Sequence, residues 1–479
     1  MRPSKKDPRW FEFDDGTFFY PLGHNVHSPV DLRCWEAVFH EPPPLSRGLN
    51  LYKDFFPKMQ AAGENVGEVW MSSWWLGIEW TRRWRGYHGP GRYSLEHAWK
   101  LDRVLELARQ HGIRVHLVLD NHGKLSEWCD WEWPTNPFNR TTEPGGLVDR
   151  PSEYFTNAAC RQMHKRRMRY IAARWGSDST VMGWELMSEM DLVGDGSSTS
   201  RGPIGRAVDG NLHRHPTTQA WITEMMQALK EYDPYGRPVT THYARNFNGV
   251  DKQLAGTPLF DYIVCVGYRP TPGFANLALQ TSENLTPHGK PFWVTEFGGE
   301  WNATSMPRLE ADLHCGLWSS WMTNAAGSPL FWWYDFIDKK GLYDHYKAFS
   351  KYVQGEDRRG LETQTERVTF TRRSGGLAGL QCRWKEGAYV WIYDEAAMNE
   401  LPPREPRALR ECRREAHGSR PRQVPPGVLG HLVRKRAGHE AGRGRPRPAA
   451  RDRPAHLPWR LGAQGQARLG RRRRPRQLP

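Results

Sequence analysis

The 479-residue chain lacks several features that would place it in a special class of protein. It has no run of about 18 apolar residues, which excludes a transmembrane helix. Its first residues, MRPSKKDPRWFEFDDG, contain no apolar segment, so we expect no signal peptide in the sequence as it stands. Its seven cysteines are scattered and form no CxxC pair, so we predict buried thiols rather than a zinc knuckle or a disulfide scaffold.

Most of the chain also has little net charge. Residues 1–400 contain 46 Lys and Arg against 48 Asp and Glu, whereas residues 401–479 contain 22 against 5. A basic field over the whole protein, of the kind that binds nucleic acid or an anionic membrane, is therefore excluded.

The basic tail has an unusual composition. Residues 401–479 contain no Ile, Phe, Tyr, Met, Asn or Thr, but 21 Arg and 12 Pro. Such a segment cannot bury enough apolar surface to offset chain entropy, so we predict disorder over residues 397–479. The missing residue types have mostly AT-rich codons, and our hypothesis is a GC-rich message read in a shifted frame. The alternative is an Arg-rich arm for nucleic acid, which is not the partner that we expect.

Between residues 18 and 355, short apolar runs alternate with longer amphipathic stretches. The eight strand candidates begin at Phe18, Asn65, Ile113, Val181, Arg237, Asp261, Pro291 and Pro329. Each is rich in β-branched or aromatic residues, which is typical of parallel strands buried on both faces. Eight successive βα units predict an α/β fold, a (β/α)8 TIM barrel, with a doubly wound open sheet as the alternative.

The amphipathic stretches have the periodicity and the stop signals of helices. LEHAWKLDRVLELARQHG, from Leu95, places apolar residues on one stripe and closes with Gly112. TTQAWITEMMQALKEYDPYG repeats this pattern and closes with Pro234 and Gly236. Outside the barrel, residues 1–17 are predicted to form a hairpin over its floor, and residues 356–396 the start of a small, truncated β-domain.

Active sites of such barrels lie at the C-terminal ends of the strands, and here the sequence places a polar and aromatic rim. The rim residues are Asn25, Trp70, His122, Ser188, Glu189, His242, Tyr243, Tyr268, Glu296, Trp332 and Trp333. Two glutamates, after strands four and seven, fit glycoside hydrolysis, because that reaction uses one protonated and one ionised carboxyl group.

Two motifs carry a family resemblance. GWELMSEMD (residues 183–191) and KPFWVTEFGG (residues 290–299) resemble the strand-four and strand-seven motifs of clan A glycoside hydrolases. The match is closest to cellulase- and mannanase-like members of glycoside hydrolase family 5, and it covers about residues 18–355. Their glutamates lie 107 residues apart, and the pair is far more specific than either motif alone.

The resemblance implies a retaining β-glycoside hydrolase that acts on a glucan- or mannan-like polysaccharide or oligosaccharide without a cofactor. Glu189 would be the general acid/base and Glu296 the nucleophile. The subsite for the glycone would be lined by His122, Tyr243, Tyr268, Trp332 and Trp333. Family relatives act on extracellular polymers, so an extracellular or periplasmic location is expected if a leader precedes this sequence.

Three positions depart from the family pattern. Ser188 stands where the family has an Asn that donates to the sugar 2-hydroxyl, and Glu68 stands where it has an Arg. The family's histidine before Tyr268 is absent. Because these departures bear on rate and on glycone specificity, a carbohydrate-binding barrel without catalysis is the alternative function.

Several candidates also have a purely structural interpretation. Glu189 and Glu296 could be surface or ion-paired carboxylates, and His122 could cap strand three. We interpret Glu185, four residues before Glu189 on the same strand, as a buried and paired carboxylate. Trp70 suits the core as well as it suits a sugar platform.

A metal site is the remaining alternative. His24 and His27 suggest one, but side chains three residues apart on a strand face opposite ways. We identify no further inward cluster of His or Asp in the sequence, and we therefore predict no metal.

Overall fold

The structure is a computed structural model that describes residues 1–197, 200–201, 216–269, 273–369, 371–372, 376–395, 412–413 and 435–436. The predictions of disorder and of a shifted reading frame over residues 397–479 fall almost entirely outside the described residues.

The strands are short, and those of the barrel follow one another at the spacing of βα units. They are β1 Arg2–Pro3, β2 Phe11–Glu12, β3 Phe18–Phe19, β4 Gly23–Asn25, β5 Val66–Trp70, β6 Arg114–Val118, β7 Val181–Glu185, β8 Gly196–Ser197, β9 Ser200–Arg201, β10 Val239–Thr240, β11 Ile263–Gly267, β12 Phe292–Phe297, β13 Gln364–Thr369, β14 Thr371–Arg372, β15 Leu377–Trp384, β16 Gly387–Asp394, β17 Cys412–Arg413 and β18 Lys435–Arg436.

Helices fill most of the intervals between the barrel strands. They are α1 Asn50–Ala61, α2 Leu95–Gln110, α3 Pro151–Thr156, α4 Ala158–Trp175, α5 Pro216–Tyr232, α6 Lys252–Ala255, α7 Phe274–Leu285, α8 Met306–Trp321, α9 Tyr334–Lys340 and α10 Tyr343–Val353. Shorter segments are a π-helix at Cys34–Phe39 and 3₁₀ turns at His122–Leu125, Trp133–Thr135, Met190–Leu192 and Thr286–His288. Among the described helices, none combines the length and the apolarity that crossing a bilayer requires.

The barrel wall consists of parallel strands. They run in the order β10-β7-β6-β5-β4, and β11 pairs with β12. Phe331 joins the two groups through parallel bridges to His24 in β4 and to Phe297 in β12. On the other side, the amide of Asp261 donates to the carbonyl of Val239 over 3.0 Å. The sheet is therefore closed, which confirms the predicted (β/α)8 barrel and excludes the open doubly wound sheet.

The eighth strand differs from the prediction. The run that begins at Pro329 contributes the bridging residue Phe331, and helix α9 starts at Tyr334. Proline has no N–H for a strand ladder, and the chain turns into the helix within five residues. The predicted strand is therefore reduced to one bridging residue, Phe331.

Helix α2 shows how local sequence sets the outer layer. The Ser94 side chain accepts a hydrogen bond from the amide of His97 over 3.2 Å and caps the first turn. The chain leaves the helix at Gly112, which has a positive φ of 68°. Its buried stripe is Leu101, Val104, Leu105 and Ala108. The predicted amphipathic helix is confirmed.

Smaller sheets flank the barrel. Strands β1, β2 and β3 form an antiparallel sheet before it, and β13, β15 and β16 form another after it. Leu380 and Trp391 from the second sheet belong to the same buried cluster as Trp321 of α8. Among the described residues the cysteines are free thiols, and five of the six whose side chains are described are buried, as predicted.

Candidate active site

Glu189 and Glu296, the carboxylate pair, meet at the C-terminal end of the barrel strands. Glu296 belongs to β12, and Glu189 follows β7 by four residues. Their side chains are 16% and 4% exposed, and an oxygen of one lies within 4.8 Å of an oxygen of the other. Carboxyl groups of retaining glycosidases stand about 5–5.5 Å apart, and those of inverting enzymes about 6.5–9.5 Å. The spacing fits the retaining arrangement.

An unusual backbone conformation turns Glu189 toward its partner. Its φ of 52° and ψ of 52° are left-handed, which costs a non-glycine residue on the order of 1–3 kcal/mol. Neighbouring hydrogen bonds hold the turn on both sides. The amide of Ser188 donates to the carbonyl of Asp120 over 2.9 Å, and the amide of Met190 donates to the carbonyl of His242 over 2.9 Å.

Two hydroxyl groups face Glu296. The Tyr268 hydroxyl donates to Oε2 over 3.2 Å, and the Ser188 hydroxyl donates to Oε1 over 3.5 Å. The ring nitrogen Nε2 of His242 lies 3.7 Å from Oε1. The two hydroxyl groups favour the ionised carboxylate over the neutral acid, and so does His242 when its ring is protonated.

One histidine, His122, faces Glu189 and has further polar partners behind it. Nδ1 of His122 lies 3.3 Å from Oε2 of Glu189. Its Nε2 lies 3.1 Å from Oδ2 of Asp130 and 3.6 Å from Sγ of Cys129. Burial opposes a charged imidazole, but the contacts with Asp130 and Cys129 and the charge of Glu189 outweigh it. They raise the pKa of His122 well above its ordinary value.

Burial raises the pKa of both carboxyl groups of the pair. For Glu296 the charge of Glu189 raises the pKa further, and His242 opposes that rise. For Glu189, His122 and His242 oppose the effect of burial. Two carboxylates at this distance repel each other when both are ionised, which favours a proton on one of them.

A second cluster of acids and imidazoles lies deeper in the barrel. Oε2 of Glu68 lies 3.0 Å from Nδ1 of His116, and its Oε1 accepts a hydrogen bond from Trp70 Nε1 over 2.8 Å. The other nitrogen of His116 lies 2.7 Å from the Tyr262 hydroxyl. Both carboxyl oxygens of Glu68 therefore have a polar partner, although burial raises the pKa of this group above its ordinary value. Its neighbour His116 was missed because one polar residue in an apolar strand carries no motif.

Glu185 connects the two levels. Its Oε1 lies 3.1 Å from Nδ1 of His242, and its Oε2 lies 3.7 Å from Nε2 of His116. The side chain is fully buried. The interpretation of Glu185 as a buried, paired carboxylate is confirmed.

The described residues include three groups whose ligand atoms lie within 4.8 Å of one another, a spacing that suits a metal ion. They are His122 with Cys129 and Asp130, Glu68 with His116 and Glu185, and Glu189 with His242 and Glu296. The expectation that no inward cluster exists is therefore wrong. The second and third groups join strands distant in sequence, whereas the first lies within one segment after β6. We interpret them as polar clusters that need no metal, since one imidazole nitrogen of His116, His122 and His242 already contacts a carboxylate oxygen at 3.0–3.1 Å, that of His242 being on Glu185.

His24 and His27, which suggested a metal site in the sequence, point toward different layers of the fold, as predicted. His24 packs against Tyr346 of α10, with ring centroids 5.6 Å apart. His27 stacks on Trp332 at 4.2 Å, and Trp332 lies 5.4 Å from Trp70. Trp332 and Trp70 thus form an aromatic group beside β4 and β5, and burial lowers the pKa of His27 to about 3, which leaves that ring neutral.

Other predicted rim residues lie within the barrel wall. Trp333 is fully buried and donates its indole N–H to the carbonyl of Gly298 over 2.7 Å. It therefore backs the end of β12 and does not line a sugar subsite. Asn25 is also buried, and its amide donates to the carbonyl of Thr295 over 2.9 Å. Tyr243 is buried beside β10.

Four residues on the loops beyond the strand ends had no signal in the sequence. Arg33 donates to the carbonyl of Trp301 over 3.0 Å and lies 3.7 Å from Oδ1 of Asp130. Asp130 and Trp131 both have left-handed backbones, and Trp131 and Trp301 are 72% and 64% exposed. Arg33, which follows β4, therefore contacts both the loop after β6 and the loop after β12, and each of these two loops carries an exposed tryptophan.

Comparisons with known proteins find partial sequence similarity to mannosidases. Mannan endo-1,4-beta-mannosidase 7 of Arabidopsis thaliana is 28% identical over 158 residues, which are 30% of this chain and 31% of that protein. Mannan endo-1,4-beta-mannosidase 5 of the same plant is 26% identical over 219 residues, 41% of this chain and 45% of that protein. The chain spans less than half the length of these curated relatives. No family model matches it.

A solved structure extends the comparison to most of the chain. A glycoside hydrolase family 5 protein from Bacteroides vulgatus superposes with a TM-score of 0.51 at 11% identity, over 83% of this chain and 80% of that one. The chain shares its barrel fold with that glycoside hydrolase. The resemblance to family 5, with its mannanases, is confirmed.

Proposed function

We propose that this protein is a retaining O-glycosyl hydrolase that cleaves β-linked, mannan-like polysaccharides or oligosaccharides. The observation that carries the proposal is the approach of Glu189 and Glu296 to within 4.8 Å at the end of a closed barrel. The names of the related mannosidases support mannan as the substrate.

In the first step Glu296 is the nucleophile. Its carboxylate attacks the anomeric carbon while Glu189 gives its proton to the leaving oxygen, so the glycosidic C–O bond breaks and a glycosyl ester forms. The hydroxyl groups of Tyr268 and Ser188 support this assignment, because both donate to Glu296 and stabilise its charged form. Burial raises the pKa of Glu189, as an acid catalyst requires, but it raises the pKa of Glu296 as well, so the assignment of the two roles depends on the hydrogen bonds to Glu296.

In the second step Glu189 acts as a base. It takes a proton from water, the water oxygen attacks the anomeric carbon, and Glu296 leaves as a carboxylate. The carboxyl pair returns to its starting state with one proton. The new hydroxyl has the configuration of the bond that was cleaved.

The exposed tryptophans of the neighbouring loops suit a polymeric sugar. The flat face of an indole matches the apolar face of a pyranose ring, and Trp131 and Trp301 both present such faces to solvent. A polymer does not cross a membrane unaided, so we propose that the enzyme acts outside the cytoplasm.

The test compares wild type with Glu189→Gln and Glu296→Gln on β-mannan, β-glucan and an aryl β-mannoside. Glu189→Gln should lose about 10²–10⁴-fold in kcat on the polymer, and Glu296→Gln should show no turnover. Glu64→Gln is the matched control, because Glu64 is a buried carboxyl on the outer side of the barrel, 3.6 Å from His24. Equal turnover by wild type and Glu296→Gln would contradict the proposal. Binding without turnover by wild type would favour a carbohydrate-binding barrel.

A further inference from the structure

We propose that His242 is a positioning residue for this reaction, an imidazolium clamped between Glu185 and Glu296 that keeps Glu296 ionised and oriented for attack. This inference rests on the proposed function, because it takes Glu296 as the nucleophile.

The position of His242 is fixed from both sides. Its ring is fully buried, with Nδ1 3.1 Å from Glu185 Oε1 and Nε2 3.7 Å from Glu296 Oε1. Its backbone amide donates to the carbonyl of Met187 over 3.3 Å, and its carbonyl accepts from the amide of Met190 over 2.9 Å. The imidazole is therefore tied to the same turn that presents Glu189.

The surroundings of this imidazole are strongly acidic. The titratable groups that face it are Glu185 from β7, Glu189 from the following turn, Glu296 from β12 and Tyr268 from the end of β11, with Glu68 and His116 below. A buried carboxylate without a counter-ion is costly, and an uncharged His242 would leave Glu185 and Glu296 without their nearest cation.

A second imidazole close to these acids, that of His116, already has other partners. His116 contacts Glu68 at 3.0 Å through one nitrogen and the Tyr262 hydroxyl at 2.7 Å through the other. Positive charge beside Glu296 therefore comes from His242. Burial opposes its protonation, but Glu185, Glu296 and Glu189 together raise the pKa of His242 to about 10.

This role differs from the sugar contact that the sequence predicts for His242. A fully buried ring that touches both a structural and a nucleophilic carboxylate acts on substrate through Glu296. Loss of its charge should raise the pKa of Glu296, so the nucleophile would become protonated at a higher pH. The effect should fall on kcat more than on KM.

The kinetic test uses the full chain and an aryl β-mannoside. In His242→Gln the acidic limb of the kcat/KM profile should move up by at least about one pH unit, which is about a tenfold loss of activity on the acid side. The variant takes from Glu185 its nearest cation, so Glu185→Gln/His242→Gln removes both charges together. Its acidic limb should still move up, but by less, because the charge of Glu185 itself raises the pKa of Glu296. An acidic limb that stays at the wild-type position in the folded double variant would overturn the proposal.

The matched control is His24→Gln. His24 is another buried imidazole, 3.6 Å from Glu64, but it packs against α10 outside the site. Its removal should leave the acidic limb in place. A shift of equal size in this control would overturn the proposal, because any lost buried histidine would then move the limb.

A second measurement does not need turnover. In full-length protein labelled with ¹⁵N-histidine, both ring nitrogens of His242 should carry protons at about pH 7, with the resonance assigned by its absence in His242→Gln. A neutral ring at that pH would overturn the inference. If wild type hydrolyses no glycoside, the proposed function fails, and this spectrum still decides the charge of His242.

Discussion

Replacing Tyr268 by Phe removes one hydroxyl and little else. That hydroxyl donates to Glu296 Oε2 over 3.2 Å, and it stabilises the charged form of the carboxyl group. A hydrogen bond to a charged group is worth about 1.5–3 kcal/mol, and about 1.4 kcal/mol corresponds to one pKa unit. Tyr268→Phe should therefore raise the pKa of Glu296 by about one to two units.

The assay is the pH dependence of kcat/KM on an aryl β-mannoside. A higher pKa of the nucleophile moves the acidic limb upward, so activity on the acid side should fall about 10–100-fold while the alkaline limb stays close to wild type. The control is Tyr389→Phe, which removes a hydroxyl that donates to Glu356 Oε2 over 2.6 Å in the sheet beside the barrel. If both variants fold and their acidic limbs coincide with that of wild type, Tyr268 does not stabilise an ionised Glu296.

The remaining predictions concern the scaffold and the cleft. Gly298→Ala should lose about 1–3 kcal/mol in chemical denaturation, because the residue has a φ of 121° and an added Cβ would lie 2.7 Å from a ring carbon; an unchanged midpoint would refute this. The Ser4 hydroxyl donates a hydrogen bond to Glu12 and, together with other donors, lowers the pKa of Glu12 from its ordinary 4.5 to about 2. The stabilisation that the ionised Glu12 gives the fold is therefore complete above about pH 4.5 and is lost as the pH falls through about 2. Glu12→Gln should therefore lower Tm at neutral pH with a gap that closes toward pH of about 2, and a constant gap would refute it. Trp301→Ala should raise KM on mannan about 3–10-fold, whereas Trp99→Ala, 52% exposed on α2, should not; equal effects would deny Trp301 a role in the cleft.

The sequence was sufficient for the barrel because its patterns are local. Alternation of buried runs with amphipathic stretches, and signals such as Ser94 and Gly112, depend on residues close together in the chain. The carboxylate pair could also be predicted from the sequence, but for a different reason. Glu189 and Glu296 lie in two motifs whose spacing matches the strand order, so their meeting follows from the topology.

The ion-pair chain through the barrel was beyond that kind of inference. His242 contacts Glu185, 57 residues away, and Glu185 faces His116 across a strand pair. Such contacts depend on the strand register and on the direction of each side chain. A shift of the register by one residue would turn each side chain to the opposite face of the sheet. The burial of Trp333 has the same origin, since the chain leaves the barrel wall at Phe331 and turns into α9.

The most direct measurement is the chemical trapping of the glycosyl-enzyme. An activated 2-deoxy-2-fluoro-β-mannoside should inactivate the protein with one sugar bound per chain, and peptide mass spectrometry should find that sugar as an ester on Glu296. In Glu296→Gln no adduct should form. Turnover of mannan without an adduct, or a sugar attached to another residue, would contradict the assignment of Glu296 as the nucleophile that faces Glu189.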